Sequence, residues 1–308
     1  MSETDKSKEK WVGVEVSSSA FTAACLGEDG SVIETFRAPV IDDGESAQHL
    51  VDFVEALKER FGDFSEIGIA VPGLVNQQTG RVAYSTHIPK HVEIDLLNEI
   101  SSSSGIKIRI ENDANAAAFG EYHLGAGRGA KDLFYVKLAE GVGGALVLNN
   151  ELWRGDSGFA GEFGYVAINS EGMRLEEVAS TASILDRTRD RFHQDPTSSL
   201  NEIGEDNITL RDLIAGAKNQ DGFSELMLER TGVYIGTALA SVINLLNVER
   251  IVVEGEIMHA GEIVIEAIRN RAKELSFAPS FETVEIVCGE LGENAGAIGA
   301  AWLLRNGE

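Results

Sequence analysis

The sequence has few cysteines and no long apolar run. Cys25 and Cys288 are its two cysteines in 308 residues, and their wide separation favours two buried thiols in a reducing compartment over a disulfide. No apolar run approaches the roughly 20 residues that span a bilayer. The N-terminus, residues 1–10, is polar and charged and lacks the apolar stretch of a signal peptide. We therefore expect a cytoplasmic protein with no membrane partner.

Basic residues are scarce as well. Lys and Arg number 26 against 50 Asp and Glu, which gives a net charge of −24 at pH 7. Proteins hold a phosphate backbone largely with clusters of Lys and Arg, so this balance argues against nucleic acid as a partner. An N-terminal DNA-reading domain is not expected either, because the first predicted strand begins by Trp11.

The rest of the composition is typical of a globular protein. Hydrophobic residues make up 43% of the sequence and charged residues 25%, which excludes collagen-like and disordered chains. A chain of this size can bury roughly 75% of the surface that its unfolded form exposes, enough for a large core or two lobes.

Strands and helices alternate along the chain, and the opening arrangement is repeated. Apolar runs at Trp11–Val16, Phe21–Leu26 and Ser31–Arg37 predict a three-stranded meander, and Leu133–Leu138 and Ala145–Leu148 begin a second one. This pattern predicts a duplicated α/β unit with a cleft between two lobes, where small molecules tend to bind. The other predicted strands are 67–71, 106–110, 250–254 and 284–288, the predicted helices are 47–60, 113–124, 176–192, 209–217, 222–246, 260–275 and a closing helix through 304, and 195–207 is predicted as a loop.

A polar cluster at the end of a predicted strand is the best candidate for chemistry. Glu111, Asn112 and Asp113 follow an apolar strand and open a helix rich in alanine. Asp113 would lie near the helix N-terminus, where the helix dipole favours its ionised form, and an ionised carboxylate facing a cleft can accept a proton from a hydroxyl. Asn and Asp in this position commonly cap the helix instead. The local sequence leaves both roles open.

Four longer segments resemble the ROK family of sugar kinases and sugar-responsive repressors. They are IGIAVPGLVNQQTGRV (67–82), ENDANAAAFGEYHLGAGRG (111–129), GVGGALVLNNELWRGDSGFAGEFGY (141–165) and LGENAGAIGAAWLL (291–304). Together they extend over nearly the whole chain in the order that the family has. The resemblance implies an α/β architecture, the two-lobed actin-like ATPase (ribonuclease-H-like) fold.

The resemblance also implies roles for the matching polar residues. Asp113 matches the base that deprotonates the sugar hydroxyl, and Asn112, Glu162 and Glu176 match residues that bind the sugar. A hexose needs convergent donors and acceptors, which carboxylates and amides supply. Gly73 after Pro72 either lets the backbone approach a ligand closely or forms an ordinary turn.

Tyr165 stands where many family members have a histidine that binds a structural zinc together with nearby cysteines. The segment that matches those cysteines, Asn169–Arg174, contains none. Without the histidine and the thiolates a tetrahedral site cannot be assembled, so we expect no zinc, and Tyr165 is carried over only as a residue that reaches the sugar. His87 is expected to be a surface or internally satisfied residue, not a ligand.

The first phosphate loop departs from the family pattern DxGGTK. The matching residues are Glu15, Val16, Ser17, Ser18, Ser19 and Ala20. Glu15 replaces the aspartate that helps to place the metal. Ser17 and Ser18 replace glycines that let backbone amides approach the phosphates, which restricts that approach.

The other two nucleotide segments carry extra carboxylates. The second phosphate loop, GTGxGGG in the family, keeps Gly141, Gly143 and Gly144 but has Glu140 where a threonine hydroxyl should meet phosphate. Two unit charges 4 Å apart repel by about 4 kcal/mol at an effective dielectric near 20. In the third segment, carboxylates flank Gly255 on both sides.

Two functions remain open at this point. The resemblance implies ATP-dependent phosphorylation of a hexose hydroxyl with Mg²⁺ as the metal, whereas the altered phosphate loops favour a non-catalytic sugar-binding or regulatory protein. The resemblance also implies a small-molecule sugar partner and a homo-oligomer such as a dimer. The expected domains are a first α/β lobe over residues 1–118, a second over 119–290, and a closing helix over 291–308 that packs back towards the first.

Overall fold

The computed structural model describes residues 10–41, 46–76, 81–84 and 105–307, and His87 lies outside them. The strands are β1 (Trp11–Val16), β2 (Ala20–Leu26), β3 (Val32–Pro39), β4 (Glu66–Val71), β5 (Leu74–Asn76), β6 (Arg81–Tyr84), β7 (Lys107–Asn112), β8 (Leu133–Leu138), β9 (Val142–Leu148), β10 (Glu151–Leu152), β11 (Arg250–Gly255) and β12 (Glu285–Cys288). The α-helices are α1 (Ser46–Phe61), α2 (Asp113–Leu124), α3 (Glu176–Ala179), α4 (Thr181–Arg189), α5 (Leu210–Lys218), α6 (Gly222–Leu246), α7 (Glu262–Leu275), α8 (Ala278–Phe281) and α9 (Ala295–Arg305).

The chain divides into two compact units. The first comprises Met1–Arg128, Leu152–Ala160 and Leu291–Glu308, and the second comprises Gly129–Glu151 and Gly161–Glu290. The first unit is therefore assembled from three separate stretches of sequence. Its middle stretch, Leu152–Ala160, is an excursion that lies inside the range 119–290 expected for the second lobe.

The two five-stranded sheets have the same topology, which confirms the predicted duplication. The order is β3-β2-β1-β4-β7 in one sheet and β10-β9-β8-β11-β12 in the other. In the first sheet β1 pairs antiparallel with β2 and parallel with β4, and β4 pairs parallel with β7. In the second, β8 pairs antiparallel with β9 and parallel with β11, which pairs parallel with β12. Ligands of open α/β sheets bind beyond the carboxyl ends of their parallel strands. In this chain, polar residues lie at the carboxyl ends of β7 and β11.

The first unit is built around a sheet covered on both sides. An apolar core of Val, Ile, Leu and Phe side chains from β1, β4, β7 and α1 fills one side. Helix α9 lies on the sheet so closely that a Cβ atom on Gly13 of β1 would be 2.1 Å from the Ala297 carbonyl oxygen. Helix α2 packs against α9 in turn. These contacts fix the position of α2, whose first residue is Asp113.

In the second unit, the structure between β10 and β11 differs in detail from the predictions. The predicted helix over 176–192 is two helices, because Ser180 has extended backbone and caps α4 by accepting a hydrogen bond from the Ser183 amide. The predicted loop over 195–207 contains two short 3-10 helices, Ser199–Glu202 and Glu205–Asn207.

Helix α6 is the one helix among the described residues that is long and apolar enough to cross a membrane, judged by length and composition alone. It is not an uninterrupted apolar run of the roughly 20 residues that span a bilayer, because Glu225, Glu229 and Arg230 lie within it. In the most apolar part of α6, 56% is buried inside the protein, and α6 packs against α5 and α7 of its own unit. A core helix that is apolar on most sides has the same composition.

The two cysteines are both free thiols, but only Cys25 is buried as expected. Cys288 is exposed, because it is the last residue of β12, which lies at the edge of the second sheet. Burial raises the pKa of the Cys25 thiol above its usual range.

Candidate functional site

The junction between β7 and α2 shows which of Asn112 and Asp113 caps the helix. Asn112 is the N-cap, because it has extended backbone and its Oδ1 accepts a hydrogen bond from the Asn115 amide at 3.0 Å. Asp113 is the first residue of the helix. The cap is thus supplied by the neighbouring residue, and the carboxylate of Asp113 lies in the first turn, where the helix dipole favours a negative charge.

The Asn112 side chain also fixes its surroundings. Its Nδ2 donates to the Gly73 carbonyl oxygen at 2.9 Å and to Asp113 Oδ1 at 3.2 Å. Gly73 has φ = 109°, a backbone conformation that favours glycine. In this conformation the carbonyl oxygen of Gly73, in the turn after β4, accepts the hydrogen bond from the helix cap Asn112. The structure therefore brings Gly73, Asn112 and Asp113 together in the first unit.

A buried ion pair lies behind this junction. Arg154 Nε donates to Glu111 Oε2 at 2.9 Å, and Glu111 is 6% exposed. The other oxygen, Glu111 Oε1, accepts from the Asn112 backbone amide at 2.9 Å and from Asn115 Nδ2 at 3.0 Å. Glu111 was expected only as a member of the polar cluster with no role of its own, and Arg154 was not expected near it. A buried carboxylate next to the Asn112–Asp113 cluster was a signal that a cation must be near, but nothing in the sequence indicates which of the 26 basic residues it is.

The first phosphate segment is a tight turn between β1 and β2. The Ser17 amide donates to the Ala20 carbonyl oxygen at 2.9 Å, and Ser17 Oγ accepts from the amides of Ser19 at 3.4 Å and Ala20 at 3.0 Å. None of Ser17, Ser18 and Ser19 has a positive φ. The serines therefore form the turn without glycine, and the Ser17 hydroxyl accepts hydrogen bonds from two of the amides in the predicted phosphate loop.

Glu15 precedes this turn on β1 and is half-buried. Its carboxyl group lies against Gly296 of α9, where a Cβ atom would be 2.4 Å from Glu15 Cδ. The space that Gly296 leaves is thus filled by the longer side chain that replaces the family aspartate.

The second phosphate segment belongs to the second unit and is held by α3 and α4. Glu176, the first residue of α3, accepts from the Val142 amide at 2.9 Å through Oε2. The Thr181 amide donates to the Ala139 carbonyl oxygen at 2.9 Å, and the Ala139 amide donates to the Gly141 carbonyl oxygen at 2.9 Å. Glu176, a predicted sugar ligand, is therefore also a support for the predicted phosphate loop.

Within this segment, the side chain of Glu140 is exposed. Water screens an exposed charge, so its repulsion of a phosphate is weaker than the value expected from the sequence. Gly143 and Gly144 lie in β9, opposite Lys137 and Val136. A Cβ atom on Gly144 would be 2.8 Å from the Gly161 carbonyl oxygen, so this glycine is required by the segment that leads to Glu162.

The third nucleotide segment follows β11. Gly255 has φ = 142°, and a Cβ atom there would be 2.0 Å from the Leu138 carbonyl oxygen, so only glycine fits. The flanking carboxylates have partners inside the second unit: Glu254 accepts a hydrogen bond from the Tyr135 hydroxyl, and Glu256 pairs with Arg211 at 3.0 Å. Part of the negative charge expected around Gly255 is therefore compensated.

Glu162 immediately precedes a single turn of 3-10 helix in the second unit, Tyr165 is the last residue of that turn, and both side chains are exposed. The guanidinium of Arg174 lies over the Tyr165 ring, 4.6 Å from its centre. Between them, Ile168 donates to the Met173 carbonyl oxygen at 2.8 Å and Leu175 to the Val166 carbonyl oxygen at 3.0 Å. Backbone hydrogen bonds and a cation–π contact thus close this loop, which matches the loop that holds zinc in many family members.

No group of three or more His, Cys, Asp or Glu side chains that could hold a metal ion occurs in the part of the chain that the structure describes. The absence of zinc stays a prediction. Asn112, Asp113, Gly73, Glu15 and the serines at 17–19 lie in the first unit. Glu162, Tyr165, Glu176, the segment at 139–145 and Gly255 lie in the second.

Comparison with known proteins identifies the family. The model of the ROK family matches residues 11–306. A glucokinase from Halalkalibacterium halodurans is 28% identical over 319 aligned residues, which cover 97% of this chain and 96% of that protein. A xylose repressor from Bacillus subtilis is 27% identical over 241 residues, which cover 76% of this chain and 59% of the repressor.

A solved structure agrees with the sequence comparison. A ROK family glucokinase from Streptomyces griseus, crystallised with glucose and AMPPNP, superimposes with a TM-score of 0.85 at 25% identity, covering 96% of this chain and 99% of that one. The match confirms the actin-like ATPase fold that the resemblance implies, with the duplicated sheet topology described above. The chain therefore belongs to the ROK family.

Proposed function

We propose that this protein is an ATP-dependent hexose kinase in which Asp113 is the catalytic base. The observation that carries the proposal is the division of labour at the start of α2, where Asn112 caps the helix and Asp113 is not needed for capping. The relatives support the reaction class, because full-length matches include glucokinases and a glucokinase structure with glucose and an ATP analogue.

In the proposed reaction the sugar hydroxyl oxygen attacks the γ-phosphorus of ATP. A bond forms between that oxygen and phosphorus, the bond from phosphorus to the β–γ bridging oxygen breaks, and ADP leaves with the electron pair. The hydroxyl proton passes to the Asp113 carboxylate. Positioning and electrostatic stabilisation supply most of the catalysis in phosphoryl transfer, so the chain has to hold three partners: base, sugar and phosphates.

The sugar ligands in this proposal are Asn112, Glu162, Glu176 and Tyr165, with Gly73 shaping the turn next to Asn112. Asn112 Nδ2 is already oriented by the Gly73 carbonyl oxygen. Glu162 and Tyr165 are exposed, as groups that bind a ligand from solvent must be before it arrives.

The nucleotide side consists of Glu15, Ser17, Ser18 and Ser19 in one unit, with Glu140, Gly141, Gly143, Gly144 and Gly255 in the other. The donor set fits Mg²⁺, which is usually held by one or two carboxylates plus substrate phosphates, because Glu15 supplies a carboxylate beside the serine turn. When bound, Mg²⁺ would neutralise charge on the phosphates. Glu15 would hold it, and the serine turn would present hydroxyls and amides to the phosphate oxygens.

The first test is turnover and ATP binding by the wild-type protein. We expect glucose-dependent formation of ADP in a coupled assay with Mg²⁺-ATP, and calorimetric binding of Mg²⁺-AMPPNP with a dissociation constant between about 1 μM and 1 mM, the usual range for enzyme substrates. Other hexoses tested in parallel would define the sugar. Glucose binding without AMPPNP binding would contradict the kinase proposal and indicate a sugar-binding protein with a disused nucleotide site.

Replacing Ser17 by glycine tests how the serine turn meets phosphate. Ser17→Gly removes the Oγ that accepts from the Ser19 and Ala20 amides and leaves them available to a phosphate. Since a net hydrogen bond contributes about 0.5–1.5 kcal/mol, we expect the KM for ATP to fall by about 3- to 10-fold, with the sugar KM unchanged.

Ser18→Gly is the comparison for this variant. It adds the same backbone freedom but keeps the Ser17 hydroxyl in place. If the two variants change the ATP KM equally, the Ser17 hydroxyl does not compete with phosphate and the interpretation of the turn is wrong.

A further inference from the structure

The ion pair of Glu111 and Arg154 contacts the proposed active centre from its buried side. Glu111 is the residue before Asn112 in β7, and its carboxylate is nearly inaccessible to water. Burial of a carboxylate is strongly unfavourable unless a cation and hydrogen bonds compensate it. Here the Arg154 guanidinium at Oε2 supplies the cation, and donors at Oε1 supply the hydrogen bonds.

The two oxygens of Glu111 have different tasks. Oε2 accepts from Arg154 at 2.9 Å, and Oε1 accepts from the Asn112 amide at 2.9 Å and from Asn115 Nδ2 at 3.0 Å. The Asn115 backbone N–H, in turn, donates to Asn112 Oδ1, and Asn112 Nδ2 donates to Asp113 Oδ1. A continuous chain of hydrogen bonds therefore runs from the Arg154 guanidinium to the carboxylate of Asp113.

Arg154 is itself held by a short loop. The Ala160 amide donates to the Arg154 carbonyl oxygen at 3.0 Å, which closes the stretch from Arg154 to Ala160. This stretch belongs to the first unit, although the residues on either side of Leu152–Ala160 belong to the second. The excursion thus carries a cation to Glu111, and Glu162 follows its end by two residues.

We infer that Arg154 is a positioning residue, which acts through Glu111 to hold Asn112 and Asp113 in the geometry that proton transfer requires. The inference rests on the proposed role of Asp113 as the base. Groups that act together in catalysis must be held within a fraction of an ångström, and residues behind them supply that precision.

The test replaces Arg154 by methionine, which keeps much of the side-chain length and removes the charge. We expect kcat with glucose and Mg²⁺-ATP to fall at least about 10-fold, because small displacements of reacting groups have effects of that size. The KM for ATP should change less than about 3-fold, since the serine turn is not part of this hydrogen-bond chain. Amide hydrogen exchange of residues 112–115 should become faster by about 10-fold or more, because the cap bonds open more often.

Two further variants make the test specific. In the double variant Arg154→Met with Glu111→Gln, no buried charge is left without its cation, and the glutamine Oε1 can still accept from Asn112 and Asn115. We expect it to recover both kcat and exchange protection to within about 3-fold of wild type. The matched control is Arg109→Met. Arg109 lies on β7, two residues before Glu111, and its Nε is 2.8 Å from Glu66 Oε1 in a more exposed ion pair. This control should leave both measurements unchanged.

The outcomes separate this inference from the proposed function. All assays are performed at a temperature where circular dichroism shows each variant to be folded, so a loss of stability alone does not lower kcat. If exchange at residues 112–115 in Arg154→Met equals that of the wild type, the positioning role is overturned whether or not the protein is a kinase. If exchange rises but the wild-type protein does not phosphorylate any hexose, Arg154 still holds Asn112 and Asp113 in place, but the kinase proposal and the catalytic purpose of that positioning fail.

Discussion

Asp113→Asn is expected to lower kcat by about 10²- to 10⁴-fold, the range that a positioned general base contributes. Asparagine has nearly the same size and shape as aspartate but cannot accept the hydroxyl proton. The KM values for sugar and ATP should remain within a few-fold of wild type, because the base contributes mainly in the transition state. A coupled assay for ADP with saturating hexose and Mg²⁺-ATP measures the effect.

The structure indicates that this variant will fold. Asn112, not Asp113, provides the cap of α2, and an asparagine at position 113 keeps an Oδ1 that can accept from Asn112 Nδ2, so the expected loss is the interaction of a carboxylate with the helix dipole, about 0.3–1 kcal/mol. Asn112→Ala should lower stability more than Asp113→Asn does, because it removes a cap that is worth about 0.5–2 kcal/mol. Loss of turnover without loss of stability at Asp113 would thus separate catalysis from capping.

A matched control lies on α1. Asp52 is exposed and accepts from Gln48 Nε2 at 2.8 Å, so Asp52→Asn makes the same chemical change on a solvated helix face. Its kcat should equal that of the wild type. Loss of a general base should leave about 10⁻² to 10⁻⁴ of wild-type kcat. If Asp113→Asn retains more than about a tenth of wild-type kcat, another group must take the proton.

Much of the fold could be predicted from the sequence because its elements are bounded by strong local signals. β1, β8 and α6 have the predicted bounds, and α2 begins and ends where the cap signals place it. The prediction of one helix over 176–192 was wrong for a local reason as well. The apolar spacing continues through Ser180, but the Ser180 hydroxyl accepts a hydrogen bond from the Ser183 amide and caps a new helix. Periodicity alone does not separate two consecutive helices that share a buried face.

The site was predictable to the extent that single residues carry its motifs. Asn112 and Asp113 could be placed on a helix N-terminus from the local pattern, since capping depends on neighbours in the chain. The Glu111–Arg154 pair depends on residues 43 positions apart, and the hydroxyl of Ser17 depends on how the turn closes on Ala20. Such contacts follow from tertiary packing, which motif matching does not contain. The same holds for the compensation of Glu254 by the Tyr135 hydroxyl across β8 and β11.

The contact between α9 and α2 leads to the largest expected effect on stability. Gly299 of α9 lies so close to α2 that a Cβ atom there would be 1.7 Å from the Ala116 carbonyl oxygen and 2.5 Å from its carbonyl carbon. These are backbone atoms of a helix, so the two helices must separate to admit a methyl group. We expect Gly299→Ala to lower the free energy of unfolding by about 3 kcal/mol or more, because overpacking typically destabilises by 1–3 kcal/mol and the obstacle here cannot rotate away. Urea unfolding measures the change.

Gly222→Ala is the control, because nothing lies within 4 Å of the added Cβ atom at the first residue of α6. Alanine is the better helix former by up to about 1 kcal/mol, so this variant should be as stable as the wild type or slightly more stable. If Gly299→Ala unfolds within about 1 kcal/mol of the wild type, which is less than overpacking usually produces, the helices do not approach as closely as described.

The same substitution connects packing to catalysis. Ala116 lies three residues after Asp113 in the first turn of α2, so a displacement of α2 at Ala116 also moves the proposed base. A shift of about 1 Å in a catalytic group can lower a rate by 10²-fold, so folded Gly299→Ala should lose turnover beyond what its unfolded fraction explains. Gly222→Ala should keep wild-type kcat, because the added Cβ atom has no neighbour within 4 Å and α2 is untouched. The absence of a side chain at Gly299 is therefore part of how this chain holds Asp113 in place.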